Sequence, residues 1–256
     1  MPCLQRPQER NEVSLYFEEL DYRPTPIGTL SLRRRRDLSQ GVDVFEIKLG
    51  DEFLMSSMFT VSEIALARLG LTELTGVDLD VVVGGLGLGY TAQAVLEHER
   101  VKSLIVVEAL DAVVEWHQNG LLPLGPILTA DPRCRFVLGD FFALAASEQG
   151  FDPHAHARQF DAILVDIDHS PEHLLNAQSA TFYQPAGLAR VRNLLKPGGI
   201  FGLWSNELPD EAFTARVAGV FAHAHAERVT FHNPIQNREC TQTIYLGRKS
   251  LEPTGL

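Results

Sequence analysis

Three acids stand at the ends of three apolar runs: Glu108 closes SLIVVE, Asp140 closes VLGD and Asp166 closes ILVD. Runs of this length and composition are buried strands of a parallel sheet. A carboxylate inside such a core costs several kcal/mol unless it is compensated. Acids that recur at the carboxyl ends of strands therefore belong to the edge where open α/β sheets bind ligands. The first strand of the set ends differently, in VVVGGLGLGY, residues 81–90, where three valines run into four glycines. A strand that ends in glycines and opens into a helix lets a ligand approach the backbone closely. The loop does not fit the phosphate-cradling pattern G-x-x-x-x-G-K-[ST], and its last spacing is one residue short of the dinucleotide pattern G-x-G-x-x-G. By itself it also reads as a structural turn. With the acids beside it, it reads as a nucleoside site, in which Glu108 accepts from ribose hydroxyls and Asp140 meets an adenine amino group.

The elements that must hold these residues fall into two textures. From residue 13 to 58, VSLYFEEL, IGTLSLRRR, DVFEIKLG and EFLMSSM are short strands parted by turns such as Arg23-Pro24-Thr25-Pro26. Gaps this short cannot carry parallel crossovers, so the segment is a small antiparallel β-domain. From residue 59 to 248 strands and helices alternate. A helix opens this part at TVSEIALARLG, with Thr60 as N-cap, Glu63 closing a capping box and Gly70 as C-cap. The strands LDVVVGG, SLIVVEA, CRFVLGD, FDAILVDID and IFGLWS follow, with a helix over 180–195 ended by Lys196-Pro197-Gly198-Gly199 and another over 210–224. The late strands ERVTFHN and TIYLGRK, with no helix between them, pair antiparallel. The class is α/β, a mostly parallel sheet covered on both faces.

GGLGLG, VVE, LGD, FDAILVD and a late LLKPGG together resemble the Rossmann-like, seven-stranded class I S-adenosylmethionine-dependent methyltransferase fold. Within it the chain is most similar to spermidine synthases (polyamine aminopropyltransferases). Their motifs run GGGDGG, EID, GDG and DxxDP behind a small N-terminal β-domain with a DEF strand, here Asp51-Glu52-Phe53. The resemblance implies an adenosyl sulfonium donor. Glu108 would take the ribose and Asp140 the adenine, with Ala109 and Phe141 beside them. The loop at Gly85, Leu86, Gly87 and Gly89 would take the sulfonium-bearing tail. Asp166 would be the catalytic aspartate that orients and deprotonates the attacking amine, with Asp168 and His169 assisting. Acceptor contacts would fall to Glu52, Ser56, Ser57 and Trp204.

The chain also departs from that pattern. The acid of GGGDGG is expected at Leu88, the Tyr-Gln-Glu or Tyr-His-Glu after DEF becomes Met55-Ser56-Ser57, and the second Asp of DxxDP shifts to Asp168. Loss of an acid in the loop makes a donor carboxylate easier to accommodate. The leading expectation is therefore S-adenosylmethionine-dependent methyl transfer to a small amine. The alternative is aminopropyl transfer from decarboxylated S-adenosylmethionine to putrescine or another polyamine. A catalytically silent nucleoside-binding protein is the third reading.

Bulk properties narrow the partners. A net charge of −11 over 256 residues argues against non-specific nucleic-acid binding. Cys3, Cys134 and Cys240 form neither a disulfide framework nor a zinc site, and no secretory or membrane-spanning stretch is read, so a cytoplasmic protein, possible as a homodimer, is expected. Arg33 to Arg36 read as a charge-guarded edge strand. The pair His169 and His173 has Pro171 between its members and no third ligand, so no metal is expected.

Overall fold

The computed structural model describes residues 16–251. Cys3 and residues 13–15, expected at the start of the first strand, lie outside that range. Four strands, β1 (Phe17–Thr25), β2 (Gly28–Asp37), β3 (Val42–Leu49) and β4 (Glu52–Ser56), form an antiparallel sheet in chain order. The Pro24 region lies within β1, and the reversal comes at Thr25–Gly28. The four arginines are not on an edge, because β2 pairs with both β1 and β3. Cross-strand carboxylates neutralise them: Arg33 and Arg35 with Glu46, Arg34 with Glu18, and Arg36 with Asp43. Each is thus paired, while the buried Nε of Arg33 makes no hydrogen bond among the described residues.

The larger sheet combines β5 (Leu79–Gly84), β6 (Val101–Glu108), β7 (Cys134–Leu138), β8 (Phe160–Val165), β9 (Leu195–Ser205), β10 (Ala222–Asn233) and β11 (Arg238–Arg248). Its order is β10-β11-β9-β8-β5-β6-β7, with β11 antiparallel to β9 and β10 and the remaining pairs parallel. The chain starts its sheet at β5, builds outward through β6 and β7, then returns to the other side of β5 with β8. That reversal makes a crevice at the carboxyl ends of β5 and β8, the place where such sheets bind ligands.

Helices α1 (Val61–Thr72), α2 (Tyr90–Leu96), α3 (Asp111–Gln118) and α4 (Gly125–Ala130) cover one face, and α5 (Phe141–Ala146), α6 (Pro185–Asn193) and α7 (Glu211–Ala218) the other. Leu30, Leu32 and Ile47 of the small sheet share the first core with Leu66 of α1 and Trp116 of α3. The Trp116 indole N–H donates to Asp21 Oδ2 at 2.6 Å, and Arg23 pairs with Glu115 at 2.6 Å. Burial and paired charge together fasten the small sheet above the crevice.

Helix ends differ from expectation for packing reasons. α1 runs through Gly70 to Thr72 because a glycine is needed inside it: a Cβ on Gly70 would lie 2.8 Å from Leu164 of β8. α6 stops at Asn193, since Lys196–Gly199 already belongs to β9, where Lys196 pairs with Asp80 and Asp161. α7 ends at Ala218, and β10 takes residues from Ala222. Helices α4 and α5 were not read in the sequence, each being six residues.

Candidate functional site

A cavity opens at the β5/β8 crevice, between the glycine loop and the small sheet. The loop is set by its own backbone. Gly85 N–H donates to Val107 O, Gly89 N–H to Leu86 O, and His117 Nε2 lies 2.9 Å from Gly87 O. Gly85 has φ +92°, and a Cβ there would overlap the Asp166 carbonyl oxygen, so the end of β8 presses directly on the loop.

Glu108 reaches the cavity from the end of β6. Its Oε2 accepts from Leu86 N–H and its Oε1 from Leu110 N–H, both at 2.9 Å. Burial pushes its carboxyl above the usual range, and the surrounding backbone N–H groups pull back. Asp140 caps α5, its Oδ1 accepting from Phe142 and Ala143 N–H. Ala109, Leu110, Val113, Phe141 and Phe142 give this end an apolar, aromatic wall, suited to a planar base.

The other end is built from separated segments. Asp166 follows β8 and accepts from the Thr91 hydroxyl of α2 at 2.6 Å. Burial raises its carboxyl well above the ordinary aspartate range. Glu63 of α1, only 7% exposed, also lines the cavity. Its carboxyl is raised by burial first and by the charge of Asp166 second. Trp204 of β9 lines this end and donates to Ser62 Oγ at 2.9 Å. His169 lines the cavity with its Nε2 3.0 Å from Glu52 Oε1, which places Glu52 at the exposed rim.

The structure thus brings together Gly85, Leu86, Gly87, Glu108, Ala109, Asp140, Phe141, Asp166, His169 and Trp204. Several expected residues stand elsewhere. Asp168 is buried behind the wall, where its Oδ2 accepts from Tyr183 and Ser179 hydroxyls and its Oδ1 from Leu175 N–H. Those bonds hold the loop after β8 rather than face a ligand. Ser56 Oγ accepts from Met58 N–H in the turn after β4, and Ser57 Oγ accepts from Phe45 N–H of β3. Gly89 starts α2 and packs on Leu128 and His117. Leu88 is 2% exposed and belongs to the core. Of Gly87 and Leu88, it is Gly87 that lines the cavity, the fourth residue of GGLGLG as the acid is the fourth of GGGDGG.

Glu63 is the residue the sequence reading missed. At Thr60-x-x-Glu63 it looked like half of a capping box, but Thr60 makes no side-chain capping bond and the Glu63 carboxylate turns inward. Met55 is a second. Its thioether lies where a Cβ on Gly87 would come within 2.8 Å, so it fills the space beside the loop. Among the described residues no group of three or more His, Cys, Asp or Glu side chains is arranged to hold a metal ion, and no helix is long and apolar enough to cross a membrane.

Known proteins share part of this sequence and its fold. Over 133 residues the chain is 34% identical to the polyamine aminopropyltransferase of Prochlorococcus marinus (strain MIT 9313), a match covering 52% of this chain and 41% of that protein. The chain thus matches well under half the length of that relative. Two solved structures share the fold over 92% of the chain at 17% identity. One is a spermidine synthase in complex with the transition-state analogue AdoDATO (TM-score 0.69, 75% of that chain), the other the spermidine synthase of Thermotoga maritima (TM-score 0.66, 74% of that chain). The family model for the spermine/spermidine synthase domain matches residues 61–212, more than half of the chain and the whole span from α1 to the start of α7. The chain belongs to the spermine/spermidine synthase domain family.

Proposed function

We propose that the protein transfers the aminopropyl group of decarboxylated S-adenosylmethionine to a small amine such as putrescine. The observation that carries this reading is the charge of the cavity wall. It holds the carboxylates Glu63, Glu108, Asp140 and Asp166 and neither lysine nor arginine. Arg33 and Arg35 of the small sheet are already paired with Glu46. The Leu86 amide, which could otherwise meet an anion, already donates to Glu108. An intact methionine tail would bring a carboxylate into a wall that offers it no cation. An arm ending in an ammonium meets opposite charge. This reverses the preference for S-adenosylmethionine-dependent methyl transfer that the missing loop acid suggested, and the relatives favour the aminopropyl reading as well.

The chemistry asked of the protein is light because the sulfonium is already activated. The acceptor nitrogen attacks the arm carbon bonded to sulfur. The C–S bond breaks, its electron pair stays on sulfur, and methylthioadenosine leaves as a neutral thioether. Holding the nitrogen in line with the C–S bond supplies much of the rate. Asp166 takes the proton the attacking nitrogen must lose; its raised proton affinity suits it to that task. The Thr91 hydroxyl fixes the carboxylate, and Trp204 and His169 border the space left for the acceptor.

The test is to incubate the protein with a diamine and each donor in turn and to identify the nucleoside product by mass. Methylthioadenosine from the decarboxylated donor is expected. S-adenosylhomocysteine from the intact donor, with a methylated amine, would overturn the reading.

A further inference from the structure

Glu63 carries the furthest inference, and it rests on the aminopropyl reading above. We infer that Glu63, facing Asp166 across the cavity, receives the terminal ammonium of the donor's propyl arm and makes the site selective for a donor that bears one.

Glu63 lies in the first turn of α1, where a glutamate ordinarily turns back to cap the helix. Here the cap is unused and the side chain points inward. The Ser62 hydroxyl, which accepts from the Trp204 indole N–H at 2.9 Å, lies 2.8 Å from Glu63 Oε2 and 2.5 Å from Gln242 Oε1, so its single proton is shared between the two acceptors. Thr91 ties the opposing carboxylate in place, with its hydroxyl 2.6 Å from Asp166 Oδ2 and 3.3 Å from the Glu63 carbonyl oxygen. Two carboxylates are thus fixed toward one space, and no protein cation lines it. His169, the remaining basic group on the wall, lies against Glu52 at the rim. Buried like charges without a counter-ion are unfavourable, and a ligand ammonium removes that cost.

The glycine loop cannot do the same work. Gly87 has no side chain, φ is +47°, and the Met55 sulfur occupies the adjoining space. An acid for the arm has to come from another element, and α1 supplies it. Burial raises both carboxyls above the ordinary range, and the Asp166 charge adds to the effect on Glu63. The Tyr90 phenol lies near the same carboxylate. An arriving ammonium then displaces a proton from the pair, a signature that a merely structural glutamate would not produce.

The experiment is calorimetry on the wild-type protein, Glu63→Gln and Glu63→Asp with two thioether probes that lack the sulfonium charge: methylthioadenosine, and adenosine carrying the same sulfur with a 3-aminopropyl arm that ends in an ammonium. The wild type is expected to bind the amine-bearing probe roughly tenfold or more tightly than methylthioadenosine, the scale of one charged hydrogen bond. That binding should release protons near neutral pH, read from its dependence on buffer ionisation enthalpy. Glu63→Gln should abolish the preference and the proton release while leaving methylthioadenosine affinity within about twofold. Glu63→Asp should restore part of the preference. A preference unchanged in Glu63→Gln, or a parallel loss for both probes, would overturn the assignment. A wild-type protein that binds neither probe would instead overturn the adenosyl reading, and this inference with it.

Discussion

The two ends of the cavity are built in different ways. The end proposed for the nucleoside comes from consecutive strand ends, Gly85 after β5, Glu108 closing β6 and Asp140 after β7, each followed directly by its helix or turn. Its carboxylates are tied by local backbone amides, Glu108 by Leu86 and Leu110, Asp140 by Phe142 and Ala143. The end proposed for the amine is assembled from α1, α2, β8 and β9, and its carboxylates lie against side-chain hydroxyls, Glu63 near Ser62, which also reaches Gln242, and Asp166 on Thr91. Backbone ties make a site that varies little with sequence. Side-chain ties let a site change its substrate while the donor's nucleoside stays where it is.

The contrast can be broken most sharply at Asp166. Asp166→Ala should lower turnover about 10²–10⁴-fold, the range for loss of a positioned base, with methylthioadenosine affinity nearly unchanged in calorimetry. Asp168→Asn, two residues away, should lower the thermal midpoint and spare turnover below it, because Asp168 serves Tyr183, Ser179 and Leu175. If the two variants exchanged phenotypes, the assignment of both acids would be wrong.

Leu88→Asp is the next largest. With Leu88 in the core, it should cost several kcal/mol of stability in denaturant unfolding, the penalty for a buried unpaired charge. A folded variant with altered donor choice would return Leu88 to the cavity wall. Glu108→Ala should weaken methylthioadenosine and both donors alike, by about 1–3 kcal/mol. A loss confined to one donor would mean that Glu108 reads the arm instead of the ribose.

The smallest effect is on stability against pH. Glu63 and Asp166 have folded-state pKa values raised above those of the unfolded chain. Their favourable contribution is complete below the ordinary carboxylate range and is lost as pH rises through the raised values. Glu63→Gln should therefore melt higher than the wild type at alkaline pH, by a few degrees, with the gap narrowing toward pH 4. A gap that does not change with pH would remove the strain attributed to the pair.

What the sequence made legible follows the same division. The strands, the crevice and the strand-end carboxylates that line it could be read because strand periodicity, glycines and terminal acids are neighbours in the chain. The amine end could not, since a side chain in the first turn of a helix has two destinations, and tertiary packing chooses between them. Glu63 read as a cap for that reason. The arginines of β2 read as an edge because the cross-strand partners Glu18, Asp43 and Glu46 lie on other strands. Leu88 and Gly87 alternate between core and cavity, so a displacement of one residue in counting the loop exchanged wall for interior.

The central claim is that this cavity takes an adenosyl donor whose arm ends in a cation and carries no carboxylate. Calorimetric titration of the wild-type protein with decarboxylated and intact S-adenosylmethionine, in one buffer near neutral pH, tests it most directly. The account predicts tighter binding of the decarboxylated donor by roughly tenfold or more. Equal affinities, or tighter binding of the intact donor, would contradict it.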